Sequence, residues 1–454
     1  MIEWNEQGEV RQAHWRSESG APAPRRVELA KDTLSADSAY RLACAGTAML
    51  WRSDFQNARL MLQALQRRTE AKPPKAAARA AAKIAASTPE EVFHLHRQAQ
   101  SQRSRTLSAL VIQVEGDYSI PLRRAPDWKE ALTEAWGPAT GAAQVVSLRE
   151  LLGVVGAHEW RKKGVEIAAL GDAPRNRIHP HYGVFSPVRG EYIDLVAKTP
   201  LPSQELAFDI GTGTGVLAAV LARRGVRRVV ATENAPRALA CARDNLQRLG
   251  LAPQVTLQDV DLFPEGQAPL IVCNPPWVPA RPSSPIEHAV YDEGSRMLQA
   301  FLAGLASHLA PGGEGWLVLS DLAEHLGLRT RAQLLGWIAA GGLRVLERHN
   351  VRQNQVLDGV RRVAQANVAH QRQILDQAAG GTLGRLVAAH QAPVGRVHLT
   401  RLRHLAVAID WRVDAPQVAH GRQRIHARQH LGHARLRAGT FAHAPLACAE
   451  RKLE

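Results

Sequence analysis

Cysteine is scarce in this chain of 454 residues. The four present, Cys44, Cys241, Cys273 and Cys448, form no CxxC pair, which excludes a disulfide framework and a cysteine-ligated zinc site and suits a reducing compartment. Long hydrophobic runs are missing as well: no stretch reaches the roughly 18 uninterrupted apolar residues that a membrane-spanning helix requires. The start, Met1-Ile2-Glu3-Trp4-Asn5-Glu6, is acidic and lacks the apolar region of a signal peptide. A cytoplasmic protein with no membrane partner is therefore expected. Lysine is absent from residues 351–451 and acids are rare there, while residues 351–454 hold 15 arginines and 9 of the chain's 19 histidines. His426, His430 and His433 would share a helical face, but no acid or cysteine accompanies them, so no metal is expected.

Charge follows the same division. Residues 1–350 hold 41 basic against 36 acidic side chains, and residues 351–454 hold 16 against 6, giving the net +15. Two-thirds of the excess belongs to the last quarter, so the basic balance is not a nucleic-acid footprint over the whole chain. Four segments are expected. Residues 1–30, polar and punctuated by Gly20, Pro22 and Pro24, read as a loose leader. Residues 31–160 read as an α-rich accessory domain for substrate recognition: Leu42, Ala45, Met49, Leu60, Leu62 and Leu65 follow helical spacing, with one strand-like run at Leu110-Val111-Ile112-Gln113-Val114. Within it, Lys72-Pro73-Pro74-Lys75 breaks the pattern, and Ala76 to Ala86 is either a short basic helix or a linker. Residues 351–454 read as a disordered basic appendage or as a GC-rich gene translated out of frame. Only the stretch from Leu405 to Trp411 has strand character there.

Residues 161–350 alternate strand, turn and helix. Leu206-Ala207-Phe208-Asp209-Ile210 opens into glycines, and Val216, Leu217, Val220 and Leu221 follow at helical spacing. Residues 228–232 form the next strand, and a helix runs from Pro236 to just before Gly250. Further strands are expected at 254–258, 268–273, 315–319 and 343–347, with helices at 294–310 and 330–340. This alternation requires crossover connections, and hence an α/β fold with a mostly parallel sheet covered on both faces.

The turn Asp209-Ile210-Gly211-Thr212-Gly213-Thr214-Gly215 sits where open α/β sheets bind ligands, and its glycines let backbone approach a ligand closely. A dinucleotide site would want GxGxxG, whereas position 216 is Val; the lysine of a phosphate-binding P-loop is absent too. Glu233 follows the next strand, where a carboxylate can accept both hydroxyl protons of a ribose. Standing alone it would be a solvated strand-end acid. In Asp261-Leu262-Phe263, Asp261 can accept from an adenine amino group while Leu262 and Phe263 offer backbone and an apolar face; Asp259 is the alternative acid.

Asn274-Pro275-Pro276-Trp277 ends a buried strand. Its prolines fix φ and remove two donors, and Pro275 restricts Asn274 toward extended geometry, so the Asn side chain projects from the sheet edge. A planar NH2 group can donate one hydrogen to the Asn274 oxygen and the other to the Pro275 carbonyl, with Trp277 stacked on its face. Two such acceptors favour positive charge developing on a nitrogen that attacks a methyl group. The plainer reading is a proline-bracketed exit loop with a core tryptophan. Cys273 reads as a buried strand residue.

This order of Asp209 to Gly215, Glu233, Asp261-Leu262-Phe263, Asn274 to Trp277 and then Pro311-Gly312-Gly313 resembles the class I methyltransferases with a methyltransferase small domain, including HemK-type glutamine N5-methyltransferases and ribosomal RNA guanine-N2 methyltransferases. The resemblance covers about 178–350 and implies a Rossmann-like seven-stranded sheet and S-adenosyl-L-methionine as methyl donor. Its cofactor residues would be Asp209, Gly211, Gly213, Gly215, Glu233, Asp261, Leu262 and Asn274, and its catalytic residues Asn274, Pro275 and Trp277, with no metal. Tyr182-Gly183-Val184-Phe185-Ser186 resembles a cofactor-covering segment of the RNA-directed members. HemK-type enzymes carry Tyr where this chain has Trp277, which favours a nucleic-acid base, RNA before DNA, over a protein glutamine. A non-catalytic module that only binds the cofactor is the third expectation. The family's last antiparallel strand would fall in the Arg/His-rich tail, where 405–411 is the candidate.

Overall fold

The opening residues alternate in character, and that alternation decides their structure. Ile2 and Trp4 are buried and their neighbours exposed along β1 (Ile2–Glu6), and a two-residue turn at Gln7-Gly8, both left-handed, returns the chain into β2 (Glu9–Arg16). Residues 1–70, 74–188, 190–351 and 407–414 are described in the computed structural model of the chain. After β3 (Arg26–Ala30) come α1 (Ala36–Cys44), β4 (Thr47–Trp51), α2 (Phe55–Glu70), α3 (Pro74–Ala86), α4 (Pro89–Ser108), β5 (Leu110–Val114), α5 (Lys129–Trp136), β6 (Gln144–Ser147) and α6 (Leu148–Lys163). The six strands form one mixed sheet in the order β1-β2-β6-β5-β4-β3. The sheet curls so that β1 approaches β3, enclosing Ile2, Trp4, Leu50, Val111 and Val145, while the larger cluster around Trp51, Phe55, Leu65 and Leu132 packs under the helices.

Two expectations are corrected here. Residues 1–30 are not a loose leader but supply three of the six strands, and the accessory domain is α/β rather than α-rich. The polar residues that suggested a leader are the outward half of short strands, and Gly20, Pro22 and Pro24 lie in the connection between β2 and β3. The expected basic segment at Ala76 to Ala86 is a helix, and α6 runs across the expected boundary at residue 160.

A short pair, β7 (Val165–Glu166) with β8 (Arg177–Ile178), leads through α7 (Glu191–Lys198) into the second sheet. That sheet contains β9 (Leu206–Ile210), β10 (Arg228–Thr232), β11 (Val255–Gln258), β12 (Ala268–Cys273), β13 (Leu309–Leu319), β14 (Arg344–Val351) and β15 (Val407–Asp414), in the order β11-β10-β9-β12-β13-β15-β14. The first five strands in that order are parallel; β15 is antiparallel to both neighbours. Helices α8 (Val216–Arg223), α9 (Pro236–Arg248), α10 (Arg296–His308), α11 (Leu322–His325) and α12 (Arg331–Ala340) complete the domain. Alternate residues of β9 and β12 serve opposite faces: Ala207, Leu270 and Val272 join the cluster under α7 and α8, while Phe208, Ile210 and Ile271 join that under α10 and α12.

The expected seven-stranded Rossmann-like sheet is therefore present. Its antiparallel strand comes from the Arg/His-rich region, at Val407–Asp414, which overlaps the candidate stretch 405–411. Residues 352–406 and 415–454, with His426, His430, His433 and Cys448, lie outside the described residues. Among the described residues no helix is long and apolar enough to cross a membrane.

Candidate active site

The carboxyl ends of β11, β10, β9 and β12 stand side by side, so the turns that follow them converge on one edge. After β9 the chain folds back sharply, with Gly211, Gly213 and Gly215 all at positive φ. A Cβ on Gly211 would lie 2.8 Å from the terminal methyl of Met297, so a side chain there would meet α10.

Asp209 serves this turn from behind. Its buried carboxylate accepts from the Thr212 hydroxyl at 2.6 Å and from the Ala218 N–H at 2.9 Å. Burial raises its pKa to about 6, with Glu233 adding to the rise, against the opposing effect of those two bonds. The carboxylate expected to contact cofactor thus uses one oxygen, Oδ2, to shape the glycine turn.

Glu233 is placed as expected, just past β10. Its two oxygens are held apart, one accepting from the Gly213 N–H and the other from the Ala235 N–H, both at 3.0 Å. Each oxygen keeps a lone pair for a ligand hydroxyl. Asn234 donates to Asp261 at 3.0 Å, which brings Asp261 beside Glu233; Asp259 has no such tie. Leu262 takes a left-handed φ of 60°, and its carbonyl accepts from the Thr232 hydroxyl. Phe263 departs from expectation. Its ring lies stacked on His308 at 4.3 Å and on Phe301 at 5.5 Å and fills the space above Gly304, so its face belongs to α10 and not to a ligand.

At the end of β12, Trp277 donates its indole N–H to the Asn274 side-chain oxygen at 2.9 Å. The indole packs between the cluster of α10 and a second one containing Val278, Tyr291 and Leu322. Trp277 thereby orients Asn274 through its ring edge, a role added to the expected one of its face. The Asn274 oxygen retains a second lone pair, and no donor among the described residues is bonded to the Pro275 carbonyl. Cys273 is buried in β12, and burial pushes its thiol well up.

Tertiary contacts bring in residues the sequence did not single out. Asn245, fully buried on α9, donates to the Thr214 carbonyl at 3.0 Å and accepts from the His179 N–H at 2.7 Å. It joins the glycine turn to the strand of chain before Tyr182. A polar residue on the apolar face of that helix was the available signal. Val184 packs on Ala238 and Cys241, whereas Tyr182 turns toward the first domain's core under Arg237. The far wall comes from that domain. On α4, Arg97 reaches Glu287 at 3.0 Å and the Arg281 carbonyl at 2.7 Å and stands 4.3 Å over the Tyr291 ring, while Phe93 joins the cluster that holds Trp277. Past β13, the guanidinium of Arg329 is buried, and none of its three nitrogens has a hydrogen-bond partner among the described residues. No group of three or more metal-ligating side chains occurs among the described residues.

Residues 176–331 match the family model of the methyltransferase small domain. The chain is 35% identical over 162 residues to the release factor glutamine methyltransferase of Moorella thermoacetica, covering 30% of this chain and 56% of that protein. It is 35% identical over 144 residues to the ribosomal protein L11 methyltransferase of Pelotomaculum thermopropionicum, covering 31% and 39%. Against the ribosomal RNA small subunit methyltransferase C of Sodalis glossinidius it is 35% identical over 122 residues, covering 26% and 32%. The chain spans about half the length of the first of these curated relatives and less of the others. The matched residues hold five of the seven strands of the second sheet, which is accordingly similar over that span to a methyltransferase small domain.

Proposed function

We propose that this chain, with its methyltransferase small domain at residues 176–331, transfers a methyl group from S-adenosyl-L-methionine to a planar exocyclic NH2 nitrogen of an RNA base, with ribosomal RNA the favoured source. The observation that carries the reading is the Asn274 oxygen, held by Trp277 at 2.9 Å at the strand end beside the glycine turn. S-adenosyl-L-methionine supplies, when bound, an electrophilic methyl on a sulfonium centre. The residues present suit it: left-handed glycines allow close backbone approach, Glu233 offers two oriented oxygens to the ribose hydroxyls, and Asp261 with the Leu262 backbone offers an edge for the adenine.

Asn274 and the Pro275 carbonyl each accept one hydrogen of the NH2 group. They orient its nitrogen and favour the positive charge that grows there as the lone pair leaves conjugation. The indole bond from Trp277 prevents the Asn274 amide from flipping, so an oxygen and not an NH2 faces the substrate.

A protein glutamine amide presents the same NH2 geometry, and the relatives named as release factor glutamine methyltransferases support that second reading. A cofactor-binding module without catalysis is the third. Transfer of labelled methyl to purified RNA, DNA and release-factor protein separates them, with RNA expected to take the label. Label in the protein alone replaces the substrate. Cofactor binding with no label anywhere replaces the enzyme.

A further inference from the structure

The positive charge of the first 350 residues is concentrated rather than spread. Residues 59–105, which hold most of α2 and α4 and all of α3, carry ten basic side chains against three acidic, whereas residues 1–350 as a whole carry 41 against 36. The remainder of that stretch is slightly negative. Several cations of the segment are spent in ion pairs: Arg68 with Asp37, Arg103 with Glu70 and Arg97 with Glu287. Those of α3 are different. Lys75, Arg79 and Lys83 recur at the four-residue interval of a helix, and no acid occurs between Glu70 and Glu90. Arg79 and Lys83 are exposed and form no ion pair among the described residues.

Alanine fills most other positions of α3, and none of its residues of described exposure is buried. Intrinsic propensity rather than packing sustains such a helix, so the core gives no reason for its cations. Its location gives one. Only Ser87 and Thr88 separate α3 from α4, and Thr88 caps α4 through a reciprocal pair of bonds with Glu91. The first turns of α4 form the wall of the reacting centre: Glu90 lies against Gly327, Phe93 faces Tyr291, and Arg97 holds the loop after Trp277. The helix of 13 residues thus ends two residues before α4, with Lys83 the cation nearest that end, and is about 20 Å long at 1.5 Å per residue.

We infer that α3 is a phosphate-contacting arm, which binds the backbone of the RNA strand whose base enters beside Asn274. The inference rests on the RNA reading above and adds to it the surface that holds the strand. Sequence selection stays with the site; the arm contributes affinity and register, because cations on phosphates release counterions whatever the base.

The test is the full chain carrying Lys75→Gln, Arg79→Gln and Lys83→Gln together, since glutamine keeps helix propensity. The probe is a mixed-sequence single-stranded RNA oligonucleotide, titrated at several salt concentrations. At roughly 0.7 per contact on a single strand, three lost contacts reduce the slope of log affinity against log salt by about 2, so the gap between wild type and variant closes about 20-fold between roughly 50 and 200 mM salt. S-adenosyl-L-methionine affinity should be unchanged, which establishes that the variant is folded. A control with Arg25→Gln and Arg26→Gln, exposed cations at the start of β3, should keep the wild-type slope. Wild type that binds and methylates RNA with the same salt slope as the α3 variant overturns the arm and leaves the substrate reading intact. Equal loss in the control also overturns it. Wild type that neither binds nor methylates RNA overturns the substrate reading and the arm with it.

Discussion

Replacing Glu233 by Gln tests the cofactor site without knowledge of the substrate. The two carboxylate oxygens accept from Gly213 and Ala235 at 3.0 Å each, and each has one lone pair left for a ribose hydroxyl. Glutamine retains one oxygen. Whichever way its amide turns, the NH2 group faces one of those backbone N–H donors and one of the hydroxyl protons. One bond to a charged acceptor, worth about 1.5–3 kcal/mol, is lost on the ribose side, and the other weakens as the charge disappears. The sum is about 2–4 kcal/mol, or roughly a 30- to 1000-fold rise in Kd for S-adenosyl-L-methionine. In the free protein Glu233 is only half-buried, so water can satisfy the abandoned N–H group, and the stability loss should be near 1 kcal/mol. Isothermal titration of the full-length variant, beside its thermal unfolding, separates the two effects. A Kd within about threefold of wild type, roughly 0.7 kcal/mol, would refute the assignment of Glu233 to the ribose.

Three further outcomes follow from the same geometry. Asn274→Ala should lower methyl transfer by at least about 100-fold, the scale of a lost transition-state acceptor, and leave cofactor affinity within a few-fold; substantial retained turnover in a labelled-methyl assay sinks the mechanism. Because the folded pKa of Asp209 lies near 6, above its ordinary 3.8, its protonation favours the folded state: its contribution is complete below about pH 4 and is lost as pH rises through 6, roughly 3 kcal/mol in all. Denaturant unfolding across that window should show this fall in wild type and lack it in Asp209→Asn; identical profiles count against the buried charge. Arg329→Met should raise stability by about 1–3 kcal/mol by removing a buried guanidinium with no hydrogen-bond partner among the described residues. A lower melting temperature would mean that the group is paired in solution.

What the sequence alone determined is the part whose causes are local. A strand ending in glycines, an acid just past the next strand and an asparagine before two prolines each depend on backbone preferences within a few residues, so the glycine turn, Glu233 and the Asn274 corner were legible along with the parallel sheet. The tertiary structure decided what those side chains touch. Asp209 bonds its own turn, Phe263 is stacked on α10, and Trp277 bonds Asn274, because hydrogen-bond geometry and packing depend on the neighbours that folding supplies. The same holds for partners distant in sequence. The hairpin at residues 1–16 joins a sheet through β6, whose Gln144 pairs with His14, and β15 inserts between β13 and β14. The Trp277 corner packs against Phe93 of α4, from a domain that carried no motif. Short strands bury only half of their few residues, and their pairing is selected by the surface they cover rather than by their own composition.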